Sequence, residues 1–250
     1  MIGLIMIAAC GTNDLAFERL EEANTAMNQI EGMQIDFTVE TSMPIPESEH
    51  QMDGVTTGMI EVMSMNSESF EARIEVVQNL MGDSEIEYVG YFRDSILYID
   101  LTEEWDTGFN LPLHPTGILS LVNIDLYFSE DEILDQSVRT YEGYTQLVFS
   151  LNDEALLQVI NAQLRSHPDF DPAQLNEYTY ELVVTLNDDN TIQTVEVDIA
   201  FTRGAADEED EVTMRGTFTL VEDANITFEF PDHLDDFSGM EEGVMGIPMF

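Results

Sequence analysis

Four histidines, one cysteine and a large excess of carboxylates are the residues of this chain that could do chemistry. His50, His114, His167 and His233 lie far apart and never at the i, i+4 spacing that lets two imidazoles share a zinc ion on one helix face. There is no GxSxG elbow to expose a nucleophilic serine and no Gly-rich loop to cradle phosphate. The densest acidic run, Asp207 to Glu211, and the Asp188-Asp189-Asn190 stretch both lack the alternating ligands and turn glycine of a calcium loop. Among 51 Asp and Glu residues, no pair is marked out for glycosidic acid–base work. These residues point away from catalysis, and neither metal nor cofactor is expected. One thiol is left, and its chemistry depends on what precedes it.

Residues 1–9, MIGLIMIAA, are uncharged and almost wholly apolar, and polarity begins at Thr12 just after Cys10 and Gly11. A transmembrane helix needs about 20 apolar residues, so this stretch reads as a signal peptide. Ile7-Ala8-Ala9-Cys10 resembles the bacterial lipobox, an aliphatic residue and two small ones before the cysteine that becomes the mature N-terminus. The resemblance implies a thioether-linked diacylglycerol on Cys10, whose two acyl chains suffice for stable anchoring. Residues 10–13 would then be the lipid anchor and a short tether, and the protein would sit on the outer face of the cell membrane. The basic residue that usually precedes the apolar run is missing. With a single Cys there can be no internal disulfide.

The chain carries 7 Arg, no Lys and a formal net charge of −44, yet 44% of its residues are hydrophobic, enough for a substantial core. A polyanion of this density is repelled by phosphate backbones, which excludes nucleic acid as a partner. Acid without Lys, spread along the whole length, resembles the surfaces of salt-loving or alkali-loving microbes. Self-repulsion reaches about 8 Å in physiological salt and only about 3 Å in molar salt, so a halophilic fold is the expectation.

Stepping along the chain, Ala16, Leu20, Ala23, Met27 and Ile30 recur at helical spacing, with Asn13 or Asp14 to cap the start and Gly32 at the end. The period then changes to two: Met33, Ile35, Phe37, Val39 and Met43 alternate with polar neighbours. Alternation returns in 70–76, 86–92, 96–101, 178–186, 195–201 and 212–220, and less clearly in 51–65 and 137–151. Asp94-Ser95, Asp188-Asp189-Asn190 and 222–225 read as hairpin turns, the last returning a strand through Ile226, Phe228 and Phe230. A second helix fits 152–166, capped by Asn152. A short third fits within 116–123, and Ser129 with Glu132 has capping-box spacing. No linker divides the chain, so 14–237 is expected to be one domain and 238–250 a flexible tail.

About ten strands would present an apolar face of roughly 1,400 Å², while the expected helices cover only about 600 Å². Such a sheet must fold into a sandwich, or curl around its helices and leave an apolar cleft. The signal segment, the first helix, the run of hairpins and the late NITFEFP segment together resemble a family of Gram-positive cell-surface lipoproteins, similar in plan to lipoprotein carriers of the LolA and LppX type. YFRDSILYID, Tyr91 to Asp100, followed by Trp105, resembles the aromatic strand of such proteins. The resemblance implies an α+β fold, a strongly curved antiparallel half-barrel of roughly nine or ten strands wrapped around two or three helices. Its concave face would bind or carry an apolar ligand, lipid foremost. Candidate lining residues are Phe37, Val39, Phe70, Ile74, Tyr88, Phe92, Tyr98, Leu182, Val184, Val197, Ile199, Phe218 and Phe228. The chain is expected to be a monomer. The alternative function is a non-catalytic envelope interaction or scaffold module without a ligand.

Overall fold

The computed structural model describes residues 15–27, 29–44, 51–63, 71–80, 84–101, 109–112, 128–157, 175–203, 210–232, 234 and 238–239. Cys10, Phe70, the stretch 116–123 and Asn13 and Asp14 lie outside them.

The helical run folds as α1, Leu15–Met27, and its Ala16, Leu20, Ala23 and Met27 are all buried. Sheet strands follow: β1 (Gly32–Pro44), β2 (Gln51–Met63), β3 (Glu71–Leu80), β4 (Ser84–Arg93), β5 (Ile96–Leu101) and β6 (Phe109–Pro112). After a single 3-10 turn, Glu130–Glu132, come β7 (Ile133–Tyr141), β8 (Tyr144–Leu151), β9 (Leu175–Leu186), β10 (Ile192–Arg203), β11 (Asp210–Glu222) and the two-residue β12 (Ser238–Gly239). All twelve strands form one sheet in the order β12-β6-β5-β4-β3-β2-β1-β11-β10-β9-β8-β7. The pairing is antiparallel throughout except for β12 on β6. The sheet is an open, curved half-barrel and not a sandwich.

Local chemistry explains most junctions. Asp94 and Ser95 both take positive φ, the two-residue turn whose twist matches a hairpin, and Glu142-Gly143 does the same between β7 and β8. Asn152 Oδ1 accepts the Ala155 N–H at 3.0 Å and starts the helical residues 153–157. The Glu132 carboxylate accepts from both the N–H and the Oγ of Ser129, holding the 3-10 turn.

Two expectations change. Gly32 does not cap α1; it opens β1 where a Cβ would stand 2.5 Å from the carbonyl oxygen of Asp223, so glycine is required by a close approach of two chains. The stretch 226–231 is not the hairpin partner of β11, because both edges of β11 are already taken, by β1 and by β10. It runs instead to the outer face of β4, where Phe230 meets Tyr91 with ring centroids 6.0 Å apart.

α1 packs against β7, β8 and β10. Its Phe17 N–H donates to Gln136 Oε1 of β7 at 2.9 Å, so a sheet side chain satisfies one of the helix's unpaired N-terminal donors.

Candidate functional site

Register decides which side chains share a face. Reading across the sheet, Val138 of β7 sits opposite Leu147, Leu147 opposite Val184, Val184 opposite Val195, and Val195 opposite Phe218. Phe218 then faces Phe37, Phe37 faces Gly58, Gly58 faces Val76, and Val76 faces Tyr88. This single row crosses nine strands, and it is apolar at every position but the tyrosine hydroxyl. The adjacent row runs Phe149, Leu182, Val197, Gly216, Val39, Thr56, Gln78 and Ile86. α1 buries its apolar stripe in the same cluster, which makes this the inner face.

The two glycines in these rows lie under aromatic rings. A Cβ on Gly58 would meet the carbonyl oxygen of Glu75 at 2.3 Å and the Phe37 ring at 2.5 Å, and one on Gly216 would meet the Phe218 ring at 2.7 Å. Phe37 and Phe218 themselves stack with centroids 6.3 Å apart. Glycine beneath a ring lets strands bend and twist tightly at the middle of the sheet, which is how a flat ribbon becomes a half-barrel.

Of the candidate residues, Phe37, Val39, Ile74, Tyr88, Phe92, Leu182, Val184, Val197, Ile199 and Phe218 all stand on this face. Tyr98 does not: it pairs with Tyr91 and points to the opposite side of β5, outside the main cluster. Alternation alone could not assign it, since β5 reads Ile-Leu-Tyr-Ile and is apolar on both faces. Phe228 lies in the 226–231 segment and packs edge-on against Phe230, centroids 5.4 Å apart. Arg93 lies over both Tyr98 (5.9 Å) and Phe230 (5.2 Å), so the outer face has its own small aromatic cluster, bound by a guanidinium.

The inner face is closed at one end and half open at the other. Along β1, Ile35, Phe37 and Val39 are buried while Thr41 and Met43 are only half-buried. At that same end Met52 is cross-strand from Met43, Met214 is cross-strand from Thr41, and Tyr178 and Met214 border the core without being enclosed by it, while Ile199, Tyr180, Phe201 and Val212 in the same rows stay buried. Tyr88 also borders the core, but in the Phe37 row, on β4. Ile86, on the same face of β4, remains 41% exposed. Burial pushes the Tyr88 phenol well above its ordinary value. Tyr178 is pushed up as well, by desolvation first and by neighbouring Asp153 next. A rim of methionines with one tyrosine has a definite chemistry: thioether side chains are unbranched and polarizable and adapt to irregular apolar shapes, and a phenol places a polar group at an apolar boundary. Met43, Met52 and Met214 are absent from the sequence-derived candidates because alternation shows which face a residue is on, not how far along the strand cover ends.

Elsewhere the outer face carries ion pairs, although Gln146, Val183 and Thr185 on β8 and β9 are buried on it. Arg73 bridges Glu61 at 2.9 Å and also contacts Glu75, and Arg215 pairs with Asp198 at 2.7 Å. Among the described residues no group of His, Cys, Asp and Glu could hold a metal ion, and no helix is long and apolar enough to cross a membrane.

No family model and no curated protein matches the chain. Among solved structures it is similar to a lipovitellin structure described as showing lipid-protein interactions, with TM-score 0.41 and 8% identity over 80% of this chain and 26% of that one. The chain thus spans about a quarter of that protein's length. It is also similar to a DUF1329 family protein from Desulfovibrio piger (TM-score 0.28, 8% identity, 85% of this chain and 93% of that one). A beta-barrel-like protein of the domain of unknown function DUF1849 from Brucella abortus gives TM-score 0.24 and 11% identity, over 77% and 98% of the two chains. All three likenesses are distant.

Proposed function

We propose that the protein is a non-catalytic extracytoplasmic lipoprotein, anchored through Cys10, that binds an apolar ligand at the half-open end of its inner face. The observation that carries the reading is the contrast along one largely apolar face: enclosed floor residues give way to the half-buried rim of Met43, Met52, Met214 and Tyr178. Such a surface suits an acyl chain laid with its tail inward. The polar edge of the rim matches a headgroup left near solvent. The IAAC segment supports the anchor and supplies the compartment in which such cargo is met.

The near-complete burial of the floor, with Phe218 and Val184 at 0% and Phe37 at 3%, also favours a second reading, a packed interaction module without cargo. Uptake of a fluorescent fatty acid, together with mass spectrometry of organic extracts from natively purified protein, separates the two. Saturable uptake that weakens on Met214→Glu, with little change in melting temperature, is the expected result. An extract free of lipid and no uptake at any salt concentration would leave only the interaction module. Anchoring is tested separately: wild-type protein expressed from the full-length gene should partition into detergent, and Cys10→Ala should not.

A further inference from the structure

β7 is an end strand of the sheet, with β8 as its only neighbour among the described residues. Nearly all of it is solvent-exposed, including Leu134 at 69% and Tyr141 at 59%. Proteins normally protect such an edge with charge, a bulge or a covering segment. Here the charge is withheld: in a chain of net charge −44, the hairpin 133–151 carries only Asp135, Arg139 and Glu142. A register shift between Ile133 and Asp135 confines irregularity to one end and leaves 135–141 regular.

The free edge is complementary to itself. The two-residue turn at Glu142-Gly143 closes on the Tyr141–Tyr144 pair. A turn of this kind closes on a hydrogen-bonded pair, so Arg139, Ser137 and Asp135 aim their backbone groups at β8, whereas Thr140, Val138 and Gln136 aim theirs outward. Two antiparallel copies of β7 can therefore pair only in registers that match these outward residues with each other. Among those, centring the two-fold axis on Ser137 sets Asp135 of each copy opposite Arg139 of the other, on the same outer face. Shifting by one step either way loses both pairs. Arg139 has no carboxylate partner among the described residues; its guanidinium Nε donates to Gln146 Oε1 at 2.8 Å.

We propose that the chain forms a two-fold dimer by antiparallel pairing of β7 with β7 of a second copy, in the register that places Ser137 on the axis and Asp135 against Arg139. This joins two half-barrels into one continuous sheet through an isologous contact. It does not depend on the ligand reading, because the rim lies on the inner face and the pairing is along the edge. Repulsion between two such polyanions is long-ranged and is screened at about 1 M salt, so the pairing is strongest there.

The test uses the full chain in detergent at about 1 M salt. Residues opposite each other across a two-fold at a non-hydrogen-bonded site have Cα atoms about 4.5 Å apart, within disulfide range. Ser137→Cys should cross-link to a dimer under mild oxidation well above the background of the parent chain, which has Cys10 alone, and Arg139→Cys should not. In sedimentation, Asp135→Arg and Arg139→Asp should each weaken association by about threefold, since each replaces two attractive contact pairs by two like-charge ones that this salt screens only in part. The exchange of both in one chain should restore it. Both side chains are exposed, so circular dichroism should show all variants folded. Monomeric sedimentation with no cross-linking overturns the proposal. So does a dimer indifferent to the charge swaps, which would be formed elsewhere.

Discussion

The two ends of the inner face are made from the same strands and the same alternation, yet they are different materials. In the middle and toward the closed end the side chains are enclosed, Met33 at 2% exposure among them, held by two rings lying over two glycines and by α1. Toward the open end β1, β2, β9 and β11 carry Thr41, Met43, Met52, Tyr178 and Met214 at half burial, between Ile199, Phe201 and Val212, which stay buried. The difference teaches that one sheet can devote one end to stability and the other to adaptability, because the energetic cost of an imperfect fit falls steeply with exposure.

The sharpest way to break this comparison is to place a charge at the closed end. Val184→Asp puts a carboxylate where the side chain is 0% exposed, and it should cost several kcal/mol, with global unfolding in denaturant titrations. Gly58→Val comes next: its Cβ would collide with backbone and ring together, for a loss of about 3 kcal/mol in the same assay. At the open end Met214→Gln should cost less than about 1 kcal/mol while lowering fatty-acid uptake several-fold. A loss of stability equal to that of Val184→Asp would show that the two ends do not differ.

The smallest effect is one of pH. Burial raises the Tyr88 phenol above its ordinary 10.0 in the folded state, so the folded protein holds that proton more tightly than the unfolded chain. The stabilisation is fully present below pH 10 and is lost as pH climbs through the folded-state value. Tyr88→Phe should therefore flatten the alkaline decline of the melting temperature above pH 10, with little change at neutral pH. Salt offers a check on the whole surface: the melting temperature should rise between about 0.1 M and 1 M as screening relieves repulsion, and a flat response would remove the halophilic expectation.

Much of the architecture was legible because alternation is a local signal. β1, β3, β4, β9, β10 and β11 each follow a period-two run, and turns such as Asp94-Ser95 are encoded by adjacent residues. Asn152 and the Ser129–Glu132 pair also show their capping within a few positions. What could not be read is long-range. Nothing near Phe228 or Phe230 says that β1, made long before, already occupies the edge of β11. Tyr98 sits in a strand apolar on both sides, so its face follows from its pairing with Tyr91 and not from its neighbours. The methionine rim was hidden for a related reason: exposure at a strand end depends on what other segments reach it.

One seam in the sheet governs the order in which it can be assembled. Apart from the short β12–β6 contact, every neighbouring pair is consecutive in the chain except β1 with β11, where Met33 meets Glu222. β1 to β6 and β7 to β11 can each zip up hairpin by hairpin from nearby residues, but joining them closes a loop of most of the chain, and such contacts are slow because their entropy is lost before anything is gained. Until that closure, Phe37 and Phe218 belong to separate half-sheets, each with a bare edge and an uncovered apolar face. The stacked pair at the centre of the finished sheet is thus a late-forming clasp, and the interval before it engages is when the chain is most exposed to aggregation.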